Sequence, residues 1–303
     1  MSDSLNAHAV LHKLAQALPK KHHSNIIIVG SLAAAAQLIR DAASELRTKD
    51  IDGMVVPNAT VVIVAKEIAS TLIDEGWEPR ADADRFAFPA NRTTPQEKLP
   101  VVRLCPPGQG KDEWFLELLG APPALAPDAE GKTRYSARVE TPISHFEIPS
   151  FAYLGVTQFQ PVRHESGLQL ASVATMALSN LLHHPHIEEK KISALIEGRQ
   201  IKRANKDLGR VVAMAYLSDQ LDESAVESWP AIWRQAMQEL RAPDSTRVKL
   251  ERINSGMQAL LKSREDQDEA LHSVNNGLLA SRPMDMRQFN IAIRRYLQRS
   301  TDR

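Results

Sequence analysis

Asp50 and Asp52 stand two residues apart where the run Ile51 to Val56 begins, and that run reads as a strand. Side chains at i and i+2 of a strand point to the same face. Two carboxylates held side by side repel unless something positive sits between them. A hard divalent cation bound through oxygen is the usual solution, Mg²⁺ or Mn²⁺ in its place. Such an ion can bridge triphosphate oxygens and stabilise charge during in-line displacement. An isolated Asp-x-Asp is more often a solvated strand end, so the upstream context decides. There the aliphatic strand Asn25 to Val29 runs into Gly30-Ser31 and then an alanine-rich helix over Leu32 to Leu46. Glycine lets a phosphate approach the backbone, and a helix N-terminus offers free N–H groups and partial positive charge. Ser31 reads as the N-cap and adds a hydroxyl. The expected chemistry is the binding of a metal-bound nucleoside triphosphate.

A triphosphate needs positive charge beyond the metal. Lys191 is followed by Arg199, Lys202, Arg203, Lys206 and Arg210. On a helix Lys202, Lys206 and Arg210 share a face, either a solvated basic stripe or a patch for triphosphate and RNA. Asp207 lies inside this cluster, with Arg203 or Lys191 as possible partners. A third carboxylate, Glu117, sits among apolar neighbours in Trp114-Phe115-Leu116-Glu117-Leu118-Leu119, where a charge demands a partner or a function. It is the leading candidate for a third functional carboxylate, ahead of Asp112 and Glu113.

Gly30-Ser31, a helix, and then Arg47-x-x-Asp50-Ile51-Asp52 resembles the signature of the nucleotidyltransferase superfamily related to DNA polymerase beta. A second block, Lys191-Ile192-x-Ala194-Leu195, then Arg199, then Lys206-Asp207-Leu208, is similar to the downstream motif of AbiEii-type and MenT-type bacterial toxins. The resemblance implies an Mg²⁺-dependent nucleotidyltransferase that moves a nucleotide from a triphosphate to an acceptor, foremost tRNA. It also implies the toxin half of a toxin–antitoxin or phage-defence pair, held by an antitoxin protein. On the same footing Gly30 and Ser31 would hold phosphates, and Asp50 and Asp52 the metal. Lys191, with Arg199 and Lys206, would contact the nucleotide, Asp207 would be the downstream acid, and Glu117 would be the third carboxylate that acts as general base. Gly53 and Gly209 depart from the pattern, and so does the long spacing from Gly30 to Asp50. The alternatives are transfer to a protein or small molecule, or a degenerate fold that only binds nucleotide.

The elements around these residues suggest an α+β chain in two parts. Residues 1–160 read as a nucleotidyltransferase-like α/β domain, a mixed sheet flanked by helices. Residues 161–303 read as a helical bundle that completes the active-site cleft. In the first part, apolar periodicity predicts a helix over Ala9 to Leu18. Ala59 to Asp74 could start as a strand at Val61, Val62 and Ile63, but its length and the following Gly76 favour a helix. Strands are predicted over Arg85 to Pro89, Leu99 to Cys105, Trp114 to Leu119 and Arg138 to Glu140. After Pro161 the predicted helices are Leu168 to His183, Ile187 to Ile196, Asn205 to Leu217, Glu223 to Leu240, Ser245 to Lys262, Glu265 to Leu279 and Met286 to Gln298. With Lys+Arg and Asp+Glu at 37 each, nucleic-acid contact must come from a local basic patch rather than the net field. The lone Cys105 excludes an intrachain disulfide, and no apolar run is long enough for a bilayer. With a polar N-terminus, this leads to the expectation of a cytoplasmic protein without a membrane partner. The histidines of His22-His23 and 183–186 read as surface or structural, and Trp229 and Trp233 as core.

Overall fold

Ile26–Val29 is four consecutive branched aliphatics, and all four are buried. A strand apolar on both faces belongs in the middle of a covered sheet, and that is where it lies in a computed structural model of the chain. The structure describes residues 6–40, 49–80, 86–108, 114–123, 134–183, 191–192, 195–239, 251, 258 and 263–298. The strands entering the main sheet are β1 (Ile26–Val29), β2 (Asp50–Val55), β3 (Glu78–Pro79), β4 (Arg103–Cys105), β5 (Phe115–Gly120), β8 (Val162–Arg163) and β9 (Gln169–Leu170). Their order is β3-β4-β5-β2-β1-β9-β8. β1 is antiparallel to β2 and parallel to β9, while β2 and β5 run parallel. A separate hairpin pairs β6 (Arg134–Glu140) with β7 (His145–Phe151).

The helices are α1 (Ala7–Ala17), α2 (Gly30–Leu38), α3 (Val61–Asp74), α4 (Val173–His183), α5 (Arg203–Leu221), α6 (Trp229–Glu239), α7 (Arg264–Asn275) and α8 (Met286–Ala292). The chain is thus a mixed α+β fold, with helices dominating after residue 172. One continuous core joins Leu11 and Leu14 of α1, the β1 aliphatics, Leu72 of α3 and Val211 and Val212 of α5. It also takes in Trp229 and Trp233, as expected for that pair. Trp233 donates its indole N–H to the carbonyl of Ala174 at 2.8 Å.

Several expectations change. α2 ends at Leu38, with Ile39 as its C-cap, well before Leu46; residues 41–48, Arg47 among them, lie outside the described residues. The sheet continues past Pro161, because the short β8–β9 hairpin joins its β1 side. Residues 86–90 form no strand. β7 was hidden by Pro149, which lacks an N–H donor; it is tolerated because β7 belongs to a two-stranded sheet rather than a central position. The predicted helix Ile187 to Ile196 is a hairpin instead, as far as its residues are described. Lys191 is bridged to Lys202, and Ile196 to Arg199, across Glu197 and Gly198, which both have positive φ. Two successive left-handed residues make a tight hairpin turn and cannot continue a helix. The segment Ser245 to Lys262 lies almost wholly outside the described residues.

Candidate active site

The sheet register assembles the site. Asp52 of β2 lies opposite Val29 of β1 on one side and opposite Glu117 of β5 on the other. Asp50 lies opposite Phe115, and Glu117 lies opposite Arg103 of β4. Because alternate residues share a face, Asp50, Asp52 and Glu117 project together from two adjacent strands. Asp50 is exposed at the strand start, whereas Asp52 and Glu117 are half-buried. Gly53 points to the opposite face. A Cβ there would come within 2.8 Å of Ile26 Cδ1 and 3.2 Å of Leu116 Cδ1. Its glycine serves close packing beneath the site rather than access for a ligand.

Gly30 closes the site on the β1 side. It turns the chain from β1 into α2 at φ +77, and its missing side chain leaves room for the Asp52 carboxylate. α2 begins at this glycine with Val29 as N-cap and no side-chain cap hydrogen bond. Ser31 is therefore in the first helical turn rather than at the cap. Its backbone N–H is among the orphan amides of a helix start, and those amides lie beside the acids.

From above, α5 brings the cations. Burial first, and then Asp50 and Glu117, push the Asp52 pKa up to about 8; Arg210 and Lys206 oppose that shift. Burial also raises the Glu117 carboxyl, opposed chiefly by Arg103, which donates from Nε to Oε2 at 2.7 Å. The Lys206 ammonium is lowered by burial and by Arg210, and is supported by Asp50, Asp207 and Asp52. Of the expected basic stripe, then, Lys206 and Arg210 face the carboxylates. Lys202 instead bonds Asp266 of α7 through Nζ at 3.2 Å. Asp207 is buried, and its ion-pair contact is with Arg203, 3.9 Å away and one helical turn back. Arg103 is a residue that sequence reasoning did not single out, whereas Arg210 was already legible as the third member of the Lys202–Lys206 helix face.

Lys191 and Arg199 occupy the hairpin before α5, and both are exposed. That hairpin is tied to α7 by the Lys202 N–H on Glu269 at 3.0 Å and by His272 Nε2 near the Ile196 carbonyl at 2.9 Å. Asn205 adds bonds to Asp266 and Glu269 at 2.7 and 2.9 Å. Asp112 and Glu113 lie outside the described residues.

At the β4 end, Arg80 and Arg103 both lie over the Phe115 ring, at 4.5 and 5.8 Å from its centroid. The exposed face therefore grades from arginines on β4 and just beyond β3, through Glu117 and Asp52, to the glycine turn of β1. The acids offer only oxygen donors, and burial together with the Asp50 and Glu117 charges outweighs Lys206 and Arg210 in raising the Asp52 carboxyl. That donor set and that electrostatic debt fit a hard divalent cation. Among the described residues no helix is long and apolar enough to cross a membrane. Compared with models of known protein families the chain matches none, and no curated protein matches it.

Proposed function

We propose that this chain is a Mg²⁺-dependent nucleotidyltransferase, transferring a nucleotide from a nucleoside triphosphate to an acceptor hydroxyl with release of pyrophosphate. The observation that carries this reading is the convergence of Asp50, Asp52 and Glu117 on adjacent strands against the Gly30 turn. Asp50 and Asp52 would hold the metal, or Mn²⁺ in its place, which when bound neutralises phosphate charge and polarises the reacting phosphoryl group. The α2 amides after Gly30 receive phosphate oxygens, and Lys206 and Arg210 add charge above them. Glu117, held by Arg103, is placed to take the proton of the acceptor hydroxyl.

The basic hairpin carrying Lys191 and Arg199 supports an RNA acceptor, for which tRNA is our first choice. A role as the toxin of a toxin–antitoxin or phage-defence pair belongs to the same proposal. It rests on the motif resemblance. The test incubates the protein with each labelled triphosphate, Mg²⁺ and total RNA beside a working transferase. Labelled RNA that disappears in Asp50→Ala and Asp52→Ala supports the proposal. No labelled RNA, protein or small molecule with any of the four nucleotides overturns it.

A further inference from the structure

A second group of ligand-type side chains lies away from the carboxylates, where α1 meets the turn between β8 and β9. His8 and His12 are one turn apart on α1, and His164 and Glu165 are adjacent in the β-turn. That turn is closed by the His164 N–H on the Leu168 carbonyl at 2.9 Å and the Gly167 N–H on the His164 carbonyl at 2.9 Å. His8 Nδ1 is 2.9 Å from His164 Nε2 and 3.9 Å from Glu165 Oε1. His12 Nε2 is 3.1 Å from the same carboxylate oxygen. The donor atoms of His8, His164 and Glu165 all lie within 4.8 Å of one another.

We infer that His8, His164 and Glu165 form a binding site for a single Zn²⁺-type cation that clamps α1 to the β8–β9 hairpin, with His12 holding the Glu165 carboxylate from the rim. Bonds of about 2.0–2.1 Å in a tetrahedron put neighbouring donors about 3.3 Å apart. The separations of 2.9 Å between His8 and His164 and 3.9 Å between His8 and Glu165 bracket that value. Helical spacing of i and i+4 sends two imidazoles to one side of a helix, so His12 stands beside His8 within reach of the Glu165 carboxylate. Neutral imidazoles are borderline donors suited to Zn²⁺, Co²⁺ or Ni²⁺, while Mg²⁺ prefers all-oxygen octahedra. The site is thereby distinct in chemistry as well as place from the carboxylates of β2 and β5.

Without metal, one shared proton joins His8 and His164, and His12 donates to Glu165 Oε1, so a cation would displace the proton that now lies between the two rings. His164 also has a partner for its other nitrogen. Its Nδ1 is 2.9 Å from Ser166 Oγ, which fixes Nε2 toward His8. Without metal, the Ser166 N–H points to that Nδ1 at 3.2 Å. Binding would move the ring proton to Nδ1, donating it to the Ser166 hydroxyl, as metal-bound histidines commonly do. A clamp here fixes the β9 flank of β1, the strand that delivers Gly30.

The test uses full-length, tag-free protein stripped with a chelator and titrated calorimetrically with Zn²⁺. Wild type should bind one equivalent, and its thermal midpoint should rise with Zn²⁺. His164→Ala and the surface variant His12→Ala should each weaken binding at least about tenfold. His12→Ala keeps this readable if the buried histidine variant folds poorly. Asp50→Ala/Asp52→Ala should bind Zn²⁺ at this site as wild type does, so the outcome is independent of the transferase proposal. Co²⁺ should give the intense visible bands of a tetrahedral site in wild type and not in His8→Ala. Equal Zn²⁺ affinity in wild type and both histidine variants would overturn the inference, as would loss of binding in the aspartate variant alone.

Discussion

A Cβ added to Gly30 would stand 2.6 Å from Oδ2 of Asp52. The position also has φ +77, where any L side chain is strained. Gly30→Ala must therefore displace the aspartate, the turn, or both. The expected result is a fall in nucleotidyl transfer of at least about 10²-fold, the scale of a displacement near one ångström at a reacting centre. Stability should fall by about 1–2 kcal/mol from the left-handed strain. Thermal melts and initial rates on the same preparation check both. Turnover at the wild-type level in Gly30→Ala would remove Asp52 from the reaction.

Asp52 makes the metal-free protein sensitive to pH in a defined direction. Its folded-state pKa is about 8, against 3.8 for the ordinary group. An acid raised in this way favours the fold while it is protonated. That contribution is complete below 3.8 and is lost as pH rises through about 8. Glu117, also raised by burial, acts in the same sense. In chelator, the wild-type thermal midpoint should drop relative to that of Asp52→Asn between about pH 4 and about pH 8. Comparing the two proteins cancels the groups they share. Mg²⁺ should restore wild type at the alkaline end and leave Asp52→Asn little changed. Parallel pH profiles for both proteins in chelator would show that Asp52 titrates normally.

The sequence made the carboxylate half of the site readable because it depends on spacing that strands preserve. Asp50 and Asp52 had to share a face once Ile51 to Val56 was a strand, and Glu117 stood out as a charge inside an apolar run. Their convergence depended on β2 and β5 pairing in parallel with Asp52 opposite Glu117, a long-range register that no local pattern encodes. The cationic half was less readable. Lys202, Lys206 and Arg210 form one stripe by periodicity, yet α7 claims Lys202 through Asp266 and leaves the other two to the acids. Gly209 has a comparable explanation. A Cβ there would meet the Ala270 carbonyl oxygen at 2.7 Å, so the close crossing of α5 and α7 excludes a side chain at this departure from the motif pattern. The short strands β8 and β9, two residues each, carry too few residues for alternation to show.

Arg103 and Glu117 separate a structural role from a chemical one. Their 2.7 Å bond holds the half-buried carboxylate in place, while the arginine is more exposed. Arg103→Ala leaves Glu117 without that donor and should cost about 1–3 kcal/mol of stability. Adding Glu117→Gln should recover part of it, giving a coupling of about 1 kcal/mol in the double-mutant cycle. Activity should divide differently. Glu117→Gln should lower kcat by at least about 10²-fold as a lost general base, and Arg103→Ala by less, since the carboxylate survives. If Glu117→Gln folds and turns over normally, Glu117 is only the arginine's structural partner.

Lys206 and Arg210 should contribute to triphosphate binding more than Lys191 does. Both act on the Asp52 carboxylate from α5, so they already stand where the phosphates would enter. Lys191 is exposed on the hairpin, with its backbone bridged to Lys202. Replacing Lys206 or Arg210 by methionine should weaken binding of a non-hydrolysable triphosphate about tenfold each, or about 1.4 kcal/mol. Lys206→Met should also gain some stability without ligand, because its ammonium is desolvated beside Arg210. Lys191→Ala should leave that binding within about threefold and lower transfer to RNA instead, through a longer-range and salt-sensitive phosphate contact. Calorimetry for the nucleotide and salt-dependent labelling for the RNA distinguish the two roles. The reverse pattern, with nucleotide binding lost in Lys191→Ala and kept in Lys206→Met, would mean that the hairpin swings over the carboxylates when nucleotide arrives.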